Sequence, residues 1–206
     1  MQQVLINTSP LIHRSKKFAE EFLGSLNDEF SYHNLDHTIQ VVNAVEEISR
    51  KSQLNPLEFE NVIIAAWFHD TGYQVDVNRH EIESARIMRE QLNSWDVSEE
   101  RIRQIEQIIL STQMPQAPKT LPAKILCDAD LYHLADPEFL KKSESLRKEI
   151  NLTCNKKINQ KEWTRMTCEF IDSHCYFTEY GRKVLAPRKE IILSRIKNKL
   201  RRLAGG

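Results

Sequence analysis

The chain has 206 residues, enough for one sizeable core, and its 40% apolar and 28% charged residues are ordinary for a soluble protein. Its 29 basic and 29 acidic residues cancel, which excludes a bulk field drawing it to a nucleic-acid polymer or an anionic membrane; any phosphate recognition must be local. Five glycines and seven prolines leave little material for tight turns and favour helices over strands.

The opening MQQVLINTSPLIHRSKK has no continuous apolar region after a basic start, and no later stretch has the length to span a bilayer. The chain therefore reads as cytoplasmic, with no membrane partner. Phe18, Phe22, Leu23 and Leu26 recur at helical spacing, as do Ile39, Val42, Val45 and Ile48. Asn55, Pro56 and Glu58 supply an N-cap, a first-turn proline and the acid of a capping box, so a third helix starts there. It runs through Val62, Ile63, Ile64, Ala65, Ala66, Trp67 and Phe68 without a polar face, which predicts a central helix surrounded by others.

Gly72 reads as the stop of that helix and 73–78 as a loop, although YQVDV alternates enough to hint at a short strand. Residues 81–92 suit a helix. Asp96 and Glu99 read as the box opening another, which carries Ile102, Ile105, Ile108 and Ile109, and MPQAPKTLP then breaks the chain. Further helices are predicted from about Ala123, from Asp136 and Pro137, and around 163–170. A closing helix from about Pro187 places Ile191, Ile192, Ile196 and Leu200 on one face. No segment reads as a linker or a repeat. Cys127, Cys154, Cys168 and Cys175 are widely spaced without a Cys-x-x-Cys pair, which argues against a disulfide framework or a structural zinc knuckle.

The stretch AAWFHDTGY sets His69 and Asp70 at the end of a wholly apolar segment. Burying an ionised aspartate there costs several kcal/mol unless a partner compensates, and a divalent cation is one such partner. Further ligand candidates lie in SYHNLDHT (His33, His37) and in CDADLYHL (Asp128, Asp130, His133). Residues two apart on a helix point about 200° apart, so Asp128 and Asp130 cannot easily serve one ion. A spacing of four would put His33 and His37 on one face, but Asn34 is a good N-cap and places His33 before the helix. His33 then reads as a phosphate contact or a residue behind the ligands. His13 and His174 read as outside the site, His133, three residues after Asp130, as packing near it without a leading role, and the basic tail RIKNKLRRLAGG as a solvated face. The mixed histidine and aspartate donors suit manganese, iron, cobalt, zinc or magnesium.

The pieces YHNLDH, FHD, HEIESA and LCDADL, in that order over residues 32–134, resemble the HD superfamily of metal-dependent phosphohydrolases. The resemblance implies an all-α, single-domain helical bundle over 1–206, with the motif core at about 32–134 and C-terminal helices, 137–203, packing on it. It implies His37, His69, Asp70 and Asp130 as ligands of one divalent metal ion. Asp128 is then left to a structural hydrogen bond or to orienting a ligand. His80 and Glu81 stand where the family carries a water-activating acid or a histidine for a second metal, and Glu81 also reads as a helix-dipole residue. ILSTQ lacks the histidine usual in two-metal members, and no glutamate-aspartate pair of the alarmone hydrolases follows HDTG.

The implied activity is hydrolysis of a small phosphate ester or anhydride, a nucleotide foremost, by a metal-activated water. His33, Tyr73 and Lys124 stand as substrate contacts, and the oligomeric state is left open. The rivals are a regulatory module that binds metal or nucleotide without turnover, and a cyclic-nucleotide phosphodiesterase, which would need a second metal and hence His80.

Overall fold

The structure, a computed structural model, describes residues 9–27 and 29–204, and within them there is no strand. The described residues form nine α-helices, in chain order α1 (Pro10–Leu23), α2 (Leu35–Ser49), α3 (Pro56–Phe68), α4 (His80–Ser94), α5 (Glu99–Leu110), α6 (Leu121–Asp130), α7 (Phe139–Thr153), α8 (Gln160–Ser173) and α9 (Ala186–Ala204). Short 3-10 turns, Thr71–Gln74 and Leu131–Ala135, follow the ends of α3 and α6, and a π-helical turn, Gly181–Leu185, leads into α9. The protein is all-α.

Most helix starts follow local capping chemistry. Asn34, Asn55, Thr120 and Asn159 each accept a backbone N–H from three residues on, and Asn55 and Glu58 form the reciprocal capping box that their spacing predicts. Ser9 with Pro10 starts α1 in the same way, so His13 lies on a helix rather than in a polar terminal segment. α5 is an exception to expectation. Its N-cap is Ser98, while Asp96 has φ 57°, a left-handed conformation that aspartate tolerates, and closes the turn after α4.

The central position of α3 is as predicted: Asn61 and every residue from 62 to 68 are buried, and α1, α2, α5 and α6 pack around it. A smaller apolar cluster joins Leu131, Leu134 and Phe139 to Cys168 and Ile171 of α8 and to Ile192, Leu193 and Ile196 of α9. Ile191, predicted on that face, is 57% exposed, because the buried stripe is 192, 193 and 196. YQVDV, residues 73–77, which hinted at a strand, forms none: Tyr73 and Gln74 end the 3-10 turn and the rest continues as turn and loop.

Gly72 does not end α3 through a positive φ, since no glycine among the described residues has one. It is needed for space. A Cβ at Gly72 would run into the His80 carbonyl, the Ser84 amide and Glu83 Cβ, and its N–H donates to Ser84 Oγ at 2.8 Å. The turn after α3 is thereby pressed onto the first turn of α4.

Asp128 fastens the C-terminal half to the centre. Its buried carboxylate accepts Phe177 N (2.8 Å), Thr178 N (2.8 Å) and Thr178 Oγ1 (2.7 Å). Gly181 has no room for a Cβ because Asp128 Oδ2 and Tyr176 Cβ occupy the space. The four cysteines are free, and no described helix is long and apolar enough to cross a membrane. Asp128→Ala would leave buried donors unpaired and is expected to cost about 1–3 kcal/mol in urea denaturation. Metal content should be unchanged, because the side chain faces 177–178.

Candidate metal centre

Four side chains from three helix ends meet in the interior. His37 lies in the first turn of α2, His69 caps the C-terminus of α3, Asp70 follows it, and Asp130 is the last residue of α6. His37 Nε2 is 3.4 Å from Asp70 Oδ2 and 3.5 Å from Asp130 Oδ1. His69 Nε2 is 3.2 Å from Asp70 Oδ2 and 3.9 Å from Asp130 Oδ1. One ligand atom each from His37, His69 and Asp70 lies within 4.8 Å of the others.

Three of these atoms, His37 Nε2, His69 Nε2 and Asp70 Oδ2, are buried without a hydrogen-bond partner. Buried polar atoms are almost always paired, so three orphans converging on one point ask for a group they can all coordinate. The His69 tautomer suits this. Its Nδ1 donates to Ala66 O at 2.8 Å, which leaves the Nε2 lone pair for a cation. Two imidazoles and two carboxylates form a hard-to-borderline donor set that fits a divalent metal ion. Asp130 is the open side, its side chain being 22% exposed against 6% for Asp70.

The electrostatics express the same demand. Burial opposes a charged imidazole at His37, yet the Asp130 and Asp70 carboxylates facing it raise its pKa to about 9. Burial likewise opposes ionised Asp70, yet His69 and His37 hold it well below the usual carboxylate range. In the absence of a metal, a proton on the imidazole does the neutralising. His133 is driven the other way, to about 4, by burial and by the nearby His37.

Around this cage the structure places the other sequence candidates unevenly. His80 Nε2 lies 3.4 Å from Glu81 Oε1 and 3.9 Å from Asp70 Oδ1, while its Nδ1 faces Val77 O at 3.2 Å. Glu81 is buried in the first turn of α4, where an acid also complements the helix dipole. Tyr73 is stacked between His33 (centroids 3.8 Å) and His80 (3.9 Å). Lys124 is set apart: it lies six residues before Asp130 on α6, about 9 Å along the axis, and does not line the cleft beside the cage.

That cleft, about 180 Å³, runs from His37 and Asp130 past Gln40, Tyr132 and His133 to Asp136 and Lys142. Lys142 Nζ is committed to Asp136 Oδ2 (2.5 Å) and Gln40 Oε1 (2.6 Å). His133, read from the sequence as packing near the site, is a wall of the cleft, with its Nδ1 3.0 Å from Tyr32 Oη and 3.1 Å from Asp130 O. Glu149 of α7 is a residue that sequence reasoning missed altogether. It is 1% exposed and takes the backbone N–H groups of Tyr32 and His33 and the ring Nδ1 of His33. Its helix, FLKKSESLRKEINLT, reads as mostly polar, and nothing in that pattern marks one buried acid.

The HD domain family matches residues 34–135. Among solved structures, a protein from an uncultured Thermotogales bacterium, described as a predicted HD superfamily hydrolase, is 18% identical, with a TM-score of 0.62, over 98% of this chain and 98% of its own. The Lin1889 protein from Listeria innocua is also 18% identical with a TM-score of 0.62, over 91% of this chain and 92% of its own. At this identity the two likenesses speak to the fold. No curated protein matches the chain.

Elemental analysis after incubation with manganese, iron, cobalt or zinc should find a tightly held ion in the wild-type protein and none in Asp70→Ala. Because the ion must displace the proton that His37 carries below about pH 9, affinity should rise with pH toward that value. Titration calorimetry over about two pH units either side of neutrality reads the slope; a flat profile would contradict the assignment.

Proposed function

The chain is an HD-domain protein, and on that premise we propose that it is a metal-dependent phosphohydrolase acting on a small phosphate ester or anhydride, with nucleotides as the leading substrate class. The observation that carries the reading is the convergence of the buried, unpaired His37 Nε2, His69 Nε2 and Asp70 Oδ2 on one point. In this reading His37, His69, Asp70 and Asp130 hold the ion. When bound, a divalent cation polarises a phosphoryl oxygen and lowers the pKa of a water.

The remaining work falls to the protein. Glu81, buried beside His80, is the base that takes a proton from the attacking water, and His80 holds that carboxylate in place at 3.4 Å. The apolar walls of α2 and α3 keep bulk water from the ligands, so charges there act at low dielectric. The cleft beside Asp130 receives the leaving group, with Gln40 and Tyr132 as polar contacts along it. The motif core and the C-terminal helices act as one unit in this account, because α7 contributes Lys142 to the cleft and Glu149 to the segment before α2.

One observation favours a second reading. His80 Nε2 faces both Asp70 Oδ1 and Glu81 Oε1, a set of donors that could hold a second, weaker ion and move a cyclic-nucleotide phosphodiesterase ahead. A panel of mono-, di-, tri- and cyclic nucleotides, assayed with each metal, decides among the readings. Slow turnover abolished by chelators is expected. Tight binding of one nucleotide with no turnover under any metal would replace the hydrolase by a regulatory module.

Glu81→Gln keeps the size of the side chain and removes its basic site. Turnover is expected to fall roughly 10²–10⁴-fold with metal content unchanged. His80→Ala should leave one fully bound ion by elemental analysis; a fall from two ions to one would establish the two-metal site.

A further inference from the structure

A carboxylate with less than a fiftieth of its surface exposed is costly unless it is well bonded, and Glu149 is bonded entirely to the two residues that precede the cap of α2. Its Oε2 accepts Tyr32 N at 2.7 Å and His33 N at 2.9 Å, and its Oε1 accepts the His33 ring Nδ1–H. These charge-assisted bonds reach across more than a hundred residues of sequence. They fix both the backbone and the imidazole of His33.

The ring so held is also clamped on its face. His33 stacks on Tyr73 at 3.8 Å and 16°, and Tyr73 stacks on His80 at 3.9 Å and 26°. His33 lies edge-on to His37, with centroids 5.8 Å apart, and 6.2 Å from His80. With Nδ1 given to Glu149, Nε2 is the free nitrogen of the ring, and it has no partner among the described residues.

We infer that Glu149 is a positioning residue for the site: it selects the His33 tautomer whose Nε2 accepts a hydrogen bond from the attacking water or from a substrate hydroxyl beside the His37, His69, Asp70 and Asp130 cage. The inference rests on the hydrolase reading for its consequence and on the hydrogen bonds alone for its geometry. It assigns part of the site to α7, outside residues 34–135 that match the family. It also separates the roles of neighbouring groups. His33 orients, while Glu81 takes the proton.

The test uses Glu149→Gln, which keeps the length of the side chain and an oxygen for the two backbone amides, and His33→Asn. Nitrogen-15 NMR of the imidazoles in the metal-free protein reads the tautomer directly. The Nδ1–H form of His33 is expected in the wild type, and a mixture or the Nε2–H form in Glu149→Gln. In turnover, Glu149→Gln should lower kcat by about 10–100-fold with KM, metal content and Tm little changed. Adding it to His33→Asn should cost no more than His33→Asn alone, since the two act as one unit.

Loss of Tm with kcat intact would mean that Glu149 is structural only and would overturn the inference. So would an unchanged tautomer in Glu149→Gln, or His33→Asn with wild-type kcat. The tautomer needs no substrate, so the two failures are distinguishable. A wild-type protein that turns over no phosphate compound would overturn the hydrolase reading and the orienting role together, and the NMR result would still decide whether Glu149 selects the His33 tautomer.

Discussion

The structure is organised around one electrostatic constraint: Asp70 and Asp130 are brought beside His37 and His69 at the inner ends of three helices, and the unpaired atoms face one another. Such a cluster is expensive in a medium of low dielectric, because each carboxylate loses its hydration. A proton on His37 repays part of that cost, which is why its pKa rises to about 9. A divalent ion would repay more, being attracted by both carboxylates and both imidazoles at once. Lys142, the lysine lining the adjoining cleft, is engaged with Asp136 and Gln40.

The cage is built from helix ends, and this has a mechanical reason. A residue within a helix is committed to the face its period dictates, whereas a terminal residue can turn its side chain toward a neighbouring element. His69 sits at the cap of α3, Asp130 closes α6, and His80 and Glu81 open α4. The termini are held together by close backbone approach rather than by side-chain bulk. Gly72 lies where the turn after α3 meets α4 and leaves no volume for a methyl group.

The C-terminal helices do more than cover a surface. Asp128, two residues from Asp130, faces away and binds the Phe177 and Thr178 amides, so one helix end serves the cage and the C-terminal anchor on opposite sides. Glu149 performs a comparable task from α7 by holding Tyr32 and His33 at the entrance to α2. Segments outside the matched 34–135 thus determine the orientation of residues that border it.

Much of this was legible in the sequence. Capping residues and a wholly apolar run predicted α3 and its central position, since both are local properties of adjacent residues. The 200° divergence of Asp128 and Asp130 followed from helix geometry, and the four motif pieces named the residues that the fold brings together. Other features depended on partners far away in the chain. Gly72 read as a helix stop because a turn glycine is usually recognised by φ, yet it is required by the backbone of α4. Ile191 matched the apolar period and still faces solvent, because the face α9 buries is set by α8 and the turn after α6. Glu149 sits in a helix whose polar pattern announces a surface, and only the approach of Tyr32 and His33 from 116–117 residues away makes it a buried acceptor. The sequence determined the helices, because caps and apolar periods are written in short-range spacing, and its resemblance to a family supplied the candidate ligands; the tertiary structure decided which polar groups lose water and to whom they bond, because burial is a property of the packed helices together.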